Sequence, residues 1–266
     1  METRLIVTLL VAAFSSYAAA NYYIFSHLKA ASSPGAFFLL TLWAITAISY
    51  PAGRLLEAYL VKNTLTWGMI WVGSYYLAFM AYALLLCLAV DIYRLLSYLF
   101  AALPPLSTAS RGKIWAIGSI AIIALVVAAG LNARRIQITN IELSMPSHGG
   151  TVREDMRIAA ISDIHVGYFM RNSRIKELVD TVNSLKPHTV WLVGDIVDES
   201  VYQAEEEKLA EEFSRLEAPY GVYAVTGNHE YYAGVDEVAD YLRRGGVRLL
   251  RDEAVVVGDA ILLVGR

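Results

Sequence analysis

One cysteine, Cys87, stands in 266 residues, so no disulfide framework is possible and the sequence carries no mark of an oxidising compartment. Histidine is scarce as well: there are five, and none follows His229. No tract of lysine and arginine occurs and the net charge is −3, which argues against nucleic acid as a partner. Charge of either sign is rarest at the start. Up to residue 133, seven lysines and arginines face three acids, Glu2, Glu57 and Asp91, a net of +4; the rest of the chain has fifteen against twenty-two, a net of −7. Residues 1–132 therefore read as a basic, apolar membrane domain and residues 133–266 as a mildly acidic appended domain.

What the first part does have is apolar sequence in runs near the ~20 residues a helix needs to cross a bilayer. Four are expected to span: Leu5 to Phe25, Ala36 to about Tyr50 before Pro51 and Arg54 interrupt it, Trp67 to Val90, and Lys113 to Leu131. Trp67, Trp71, Tyr75, Tyr76 and Tyr82 can supply an aromatic belt at headgroup depth. Between the last two runs, DIYRLLSYLFAALPPL reads as a surface amphipathic helix that starts at Asp91 and ends at Pro104. A signal peptide before a soluble helical domain accounts for only the first run. Arg4, Arg54, Lys62, Arg134 and Arg135 fall on one side of such a topology and Lys29, Arg94, Arg111 and Lys113 on the other, a balance that assigns neither face to the cytoplasm.

Beyond Arg134 and Arg135 the pattern changes to short alternations of strand and helix. An edge strand is expected over Ile136 to Leu143, strands at Met156–Ser162, Val190–Val193 and Gly221–Thr226, and helices at Ser173–Leu185, Glu205–Leu216 and Val235–Arg244. Two short strands close the chain, at Ala254–Val257 and Ala260–Val264. This alternation indicates a layered α/β domain with parallel pairing.

Each of the three central strands ends in polar residues. AAISDIHVG delivers Asp163 and His165, VWLVGDIVDES delivers Asp195 and Asp198, and VYAVTGNHEYY delivers Asn228, His229 and Glu230. In an open α/β sheet the carboxyl ends of the strands face a common crevice, so Asp163, His165, Asp195, Asn228 and His229 are expected to converge. Carboxylates, imidazole and an amide oxygen without a thiolate suit Mn²⁺, Fe, Zn²⁺ or Mg²⁺. A carboxylate can bridge two such ions, and a pair ~3.5–4 Å apart can clamp a phosphoryl group during in-line displacement. His148 and His188 read as exposed loop residues, and His27 as interfacial.

DIH, GDIVD and GNHE, in that order, resemble the first three motifs of the calcineurin-like metallophosphoesterases, and the apolar first half resembles the bacterial membrane-anchored branch of that superfamily. The resemblance covers about residues 156–266. It implies a two-sheet β-sandwich flanked by helices, two divalent metal ions, and hydrolysis of phosphomonoesters or phosphodiesters. Asp163 and His165 would bind the first metal, Asp195 would bridge both, Asn228 would bind the second, His229 would assist the leaving group, and Asp198 and Glu230 would orient ligands by hydrogen bonds. The family also carries later histidine motifs, and none is present here, so the domain is expected to be C-terminally incomplete and the chain the N-terminal portion of a longer protein. Two functions follow from this sequence. One is a phosphoesterase anchored in the bacterial cell membrane, with the bilayer and a phosphoester as its partners; the other is a non-catalytic membrane protein with a vestigial metal site.

Overall fold

The computed structural model describes residues 2–31, 37–59, 64–144, 155–167, 169–198, 201–259 and 261–266. Ala36, Lys62, His148 and Ala260, named above, lie outside them. The chain divides into two compact units, residues 1–136 and 137–266.

In the first unit the apolar runs become four helices: α1 (Glu2–Ala31), α2 (Phe37–Tyr59), α3 (Thr64–Leu99) and α4 (Thr108–Ala133). Among the described residues, three segments are long and apolar enough to cross a membrane, Val7–Lys29, Thr64–Leu99 and Thr108–Ala133. The remaining expected span falls in α2, which runs on through Pro51 and takes in the Arg54–Glu57 ion pair, 3.2 Å. No separate amphipathic helix starts at Asp91. Nothing between Val90 and Leu99 breaks a helix, so α3 continues for 36 residues, about 54 Å at 1.5 Å per residue. Asp91 is tolerated in that helix because its carboxylate accepts from Tyr23 Oη at 2.6 Å and Arg94 at 3.1 Å and lies 3.1 Å from His27 Nε2. These bonds tie α1 to α3. Helices α2 and α3 approach closely at Gly73, where a Cβ would sit 2.4 Å from the Tyr50 nitrogen. Small residues allow such contact between membrane helices.

Residues 136–144, at the junction of the two units, are not a strand, and Ile138, Ile141 and Leu143 are exposed. The slip in their alternation prevents one face from being buried, and a short apolar stretch without a buried face has little to hold it in a sheet. The sheet begins at β1 (Ile158–Ile161) and continues through α5 (Asn172–Ser184), β2 (Thr189–Val193), α6 (Val201–Glu206), α7 (Leu209–Phe213), β3 (Val222–Val225), α8 (Asn228–Ala233), α9 (Val235–Arg244) and β4 (Val247–Leu249). The single helix expected over 205–216 is broken at Lys208, which adopts φ +55°. Strand β4 is a three-residue element that periodicity could not reveal.

All four strands are parallel and ordered β1-β2-β3-β4. Right-handed crossovers that always step in one direction place every connecting helix on the same face of the sheet. That face is apolar: Val190 and Leu192 on β2 align with Val222 and Ala224 on β3, and all four are buried. In α5, Ile175, Leu178, Val179 and Val182 follow the i, i+3, i+4, i+7 spacing of one helix side, and all are buried. A second sheet, the antiparallel hairpin β5 (Glu253–Val257) and β6 (Ile261–Gly265), packs on the opposite face. There Val255, Val257 and Leu263 meet Tyr223 and Val225 of β3. The observed architecture is thus apolar membrane helices followed by an α/β domain with two sheets.

Candidate metal centre

The polar residues that end β1, β2 and β3 lie on three adjacent loops at the carboxyl edge of the parallel sheet. The first two loops are stitched together beyond the strands: Asp163 N donates to Gly194 O at 3.3 Å, His165 N to Asp195 O at 2.9 Å, and Val166 N to Ile196 O at 2.9 Å. Left-handed backbone recurs here, with φ of +55° at Asp163, +48° at His165 and +52° at Asp195. Such conformations strain a residue bearing a Cβ and persist where surrounding structure over-determines them, commonly in functional sites.

Glycine is required at two points in this crossing. Gly194 has φ +74°, and its missing Cβ would lie 2.9 Å from the Gly227 nitrogen. A Cβ on Gly227 would lie 2.2 Å from Asp195 Oδ1 and 2.7 Å from the Asp195 nitrogen, so the second and third loops can meet only where no side chain intervenes.

Glu230 holds the crossing from inside. It is fully buried, and its carboxylate accepts four backbone N–H groups. Oε1 receives Ile196 N at 2.7 Å and Val197 N at 3.1 Å; Oε2 receives Asp195 N at 2.9 Å and Gly227 N at 2.7 Å. The bond to Gly227 is also one half of a capping box at the start of α8. Where the sequence suggested ligand orientation through side-chain hydrogen bonds, Glu230 bonds the backbone of the two loops that carry Asp195 and Asn228.

Two groups of donor atoms stand at this edge, each with all its atoms within 4.8 Å of one another: Asp163, His165 and Asp195, and His165, Asp198 and His229. His165 belongs to both. Its Nε2 is 3.8 Å from Asp163 Oδ1 and its Nδ1 is 3.4 Å from Asp198 Oδ1. Asp198 Oδ1 is also 3.1 Å from His229 Nδ1, which donates to the Asp198 carbonyl at 2.7 Å. The two imidazoles meet edge to face, with ring centroids 4.5 Å apart. His229 N donates to Asp195 Oδ1 at 3.0 Å, and exposed Asn228 precedes it at the first position of α8. All seven sequence-selected residues therefore lie on this edge. The second group consists of His165 with Asp198 and His229, the pair assigned from sequence to orienting and leaving-group roles.

The His229 imidazole is pushed above the usual histidine range, first by its bond to the Asp198 carbonyl; burial opposes this, and the carboxylates of Asp198, Asp195 and Glu230 add to it. Tyr232 packs edge to face on His229 at 5.6 Å, a contact not anticipated from the motifs. Its position three residues on along the same helix was the available signal. Away from this edge, His188 Nδ1 accepts from Arg157 N at 2.8 Å where β2 begins, and its ring stacks on Tyr220.

A family profile described as calcineurin-like phosphoesterase matches residues 156–263, a stretch that contains every one of these groups. Residues 156–263 are a calcineurin-like phosphoesterase domain. The domain is 35% identical over 111 residues to an uncharacterized metallophosphoesterase of Aquifex aeolicus, covering 42% of each chain. It is 34% identical over 98 residues to a transmembrane protein with metallophosphoesterase domain of Danio rerio, covering 36% of this chain and 22% of that one. It is 27% identical over 101 residues to the UDP-2,3-diacylglucosamine pyrophosphatase LpxG of Chlamydia trachomatis, covering 38% and 30%. In each case the match spans less than half the relative's length. No solved structure gives a significant match.

Proposed function

We propose that this phosphoesterase domain binds two divalent metal ions and hydrolyses a phosphomonoester or phosphodiester while anchored to a membrane by the preceding helices. The observation that carries this reading is the convergence of Asp163, His165 and Asp195, whose donor atoms all lie within 4.8 Å of one another. Two donors each ~2.1 Å from one ion stand at most ~4.2 Å apart, so the observed separations need little closing. The donors are carboxylate oxygens and imidazole nitrogens, the chemistry that Mn²⁺, Fe, Zn²⁺ and Mg²⁺ accept.

Asp163, His165, Asp195 and Asn228 are the proposed metal-binding residues, with Asp195 shared by both ions. When bound, a metal pair supplies an activated water and charge neutralisation at the phosphoryl oxygens. The chain's own part is positional. Glu230 fixes the Asp195 turn, Asp198 spaces the two imidazoles, and the Asp198 carbonyl holds His229 Nδ1–H so that Nε2 is the nitrogen available to a departing oxygen.

For a membrane-anchored domain, amphiphilic or nucleotide-like phosphoesters are the fitting substrates. The relative named for UDP-2,3-diacylglucosamine acts on a molecule with both characters. Exposed Tyr231 and Tyr232 on α8 offer aromatic surface beside His229 for either kind of group.

The test is metal content first and turnover second, with the protein purified in detergent and loaded with Mn²⁺. The expected result is bound metal that Asp195→Asn loses, together with metal-dependent hydrolysis of p-nitrophenyl phosphates above the level of that variant. A protein that holds divalent ions no better than Asp195→Asn, with no metal-dependent turnover, is instead the non-catalytic membrane protein.

A further inference from the structure

Away from the candidate metal site, a cleft lies wholly within the helical unit. Helices α2 and α4 both pack on α3, and the cleft lined by all three has a volume of about 1230 Å³. That exceeds the ~300–1,000 Å³ of ordinary small-molecule sites. Its walls are apolar and aromatic, with Trp43 from α2, Trp71, Tyr75 and Phe79 from α3, and Ile123 and Val127 from α4. No acidic side chain lines it among the described residues. A lysine or arginine stands at each end, Lys113 near the start of α4 and Arg134 just past its finish. At 1.5 Å per residue, Lys113 and Leu131 are about 27 Å apart, close to the ~30 Å hydrocarbon thickness of a bilayer.

The two ends differ. Arg134 is already engaged within the protein, whereas exposed Lys113 has no partner among the described residues. Lys113 also has company. The ring contact between His27 and Trp115 and the bonds from Asp91 to Tyr23 and His27 bring the end of α1, the end of α3 and the start of α4 to one level of the bundle. Lys29, Arg94 and Arg111 are carried on those same segments, against Asp91 alone. A long apolar cleft that opens at one end onto excess positive charge fits an amphiphile with an anionic head and a hydrocarbon tail.

We infer that the cleft between α2, α3 and α4 binds one anionic phospholipid from the bilayer, its phosphate at Lys113 and an acyl chain running past Ser119 toward Ile123. This rests on the membrane reading of the first unit and is independent of the metal centre. The head is held by charge, worth roughly fivefold in affinity for each lysine or arginine near a lipid phosphate. Retention of the tail depends on the cleft being open. Ser119 lies about 9 Å along α4 from Lys113 and lines the cleft, so a bulky side chain there closes the path of the chain.

The experiment uses the full chain in lipid nanodiscs holding equal amounts of phosphatidylglycerol and phosphatidylcholine with the same acyl chains. After transfer to detergent, retained lipid is read by native mass spectrometry. The wild type is expected to keep one phosphatidylglycerol in preference to phosphatidylcholine. Ser119→Trp should lose it, while Ile117→Trp, which puts the same indole at an exposed position of α4 outside the cleft, should retain it. Lys113→Gln should still retain lipid, with its preference for phosphatidylglycerol reduced about fivefold. Equal retention of the two lipids by the wild type, or undiminished retention by Ser119→Trp, overturns the inference. Carbonate washing of membranes is read beforehand, and a chain released to the supernatant overturns the membrane reading along with it.

Discussion

Replacing Glu230 by Gln tests whether the metal centre is built on one buried carboxylate. The substitution keeps size and shape and removes the charge. Each carboxylate oxygen accepts two backbone N–H groups, Oε1 from Ile196 and Val197 and Oε2 from Asp195 and Gly227. A glutamine can offer its carbonyl oxygen to only one of these pairs. Whichever way the amide is turned, its NH₂ group faces the other two donors, and both are left without an acceptor. A buried donor left unsatisfied costs ~1–3 kcal/mol, so the change should destabilise this region by about 2–6 kcal/mol, a large share of the ~5–15 kcal/mol that holds a typical domain folded.

The cost should appear first as local opening, because the affected amides are confined to two adjoining loops. Hydrogen exchange of peptides covering residues 195–197 and 227, in the full chain in detergent, is the direct measurement. At about 1.4 kcal/mol per factor of ten, even 2 kcal/mol is roughly a 30-fold acceleration. Peptides from α1 should be unchanged, since that helix lies in the other compact unit. Asp195 and His229 carry a second consequence, because the bond from His229 N to Asp195 Oδ1 spans the crossing that Glu230 holds. Metal retention should therefore fall although Glu230 supplies no donor to either group. Exchange within threefold of the wild type at all four amides, Asp195, Ile196, Val197 and Gly227, would refute this reasoning and show that water or another acceptor satisfies them.

Three further substitutions probe other contacts. Gly227→Ala places a Cβ 2.2 Å from Asp195 Oδ1, so metal content should drop as far as in Asp195→Asn, with α8 still folded by hydrogen exchange. Asp195→Asn should reduce metal-dependent turnover well beyond Asp198→Asn, because a carboxylate shared by two ions holds both, whereas loss of an orienting partner costs typically 10–100-fold; equal losses at saturating metal would show the roles are misassigned. Gly73→Ala should destabilise the helical unit by about 1–3 kcal/mol, the ordinary cost of overpacking, because its Cβ would meet the Tyr50 backbone at 2.4 Å; a thermal midpoint in detergent equal to the wild type would mean that α2 and α3 can separate freely.

The parts of this protein that could be read from sequence are those in which a local pattern and its tertiary role coincide. Helix α9 runs from Val235 to Arg244, as its periodicity implies, because the side that buries Val238, Tyr241 and Leu242 is set by spacing alone. The three loops of the metal centre were legible for a related reason. A strand that is apolar up to its last residue and then turns to Asp or Asn marks the carboxyl edge of a parallel sheet, and one edge gathers all such loops. What failed was whatever depended on a distant partner. Asp91 looked like the start of a surface helix because sequence could not show Tyr23 and His27 waiting on α1 to receive its carboxylate. Strand β4 is three residues long and owes its place to the open edge of β3. Glu230 illustrates both cases at once: the motif singled it out as a hydrogen-bonding residue, but its three bonds to residues 195–197 depend on a second loop more than thirty residues away. The motif therefore identified the residue while the fold determined its role, which is to lock two loops together at the backbone and so set the positions of Asp195 and Asn228.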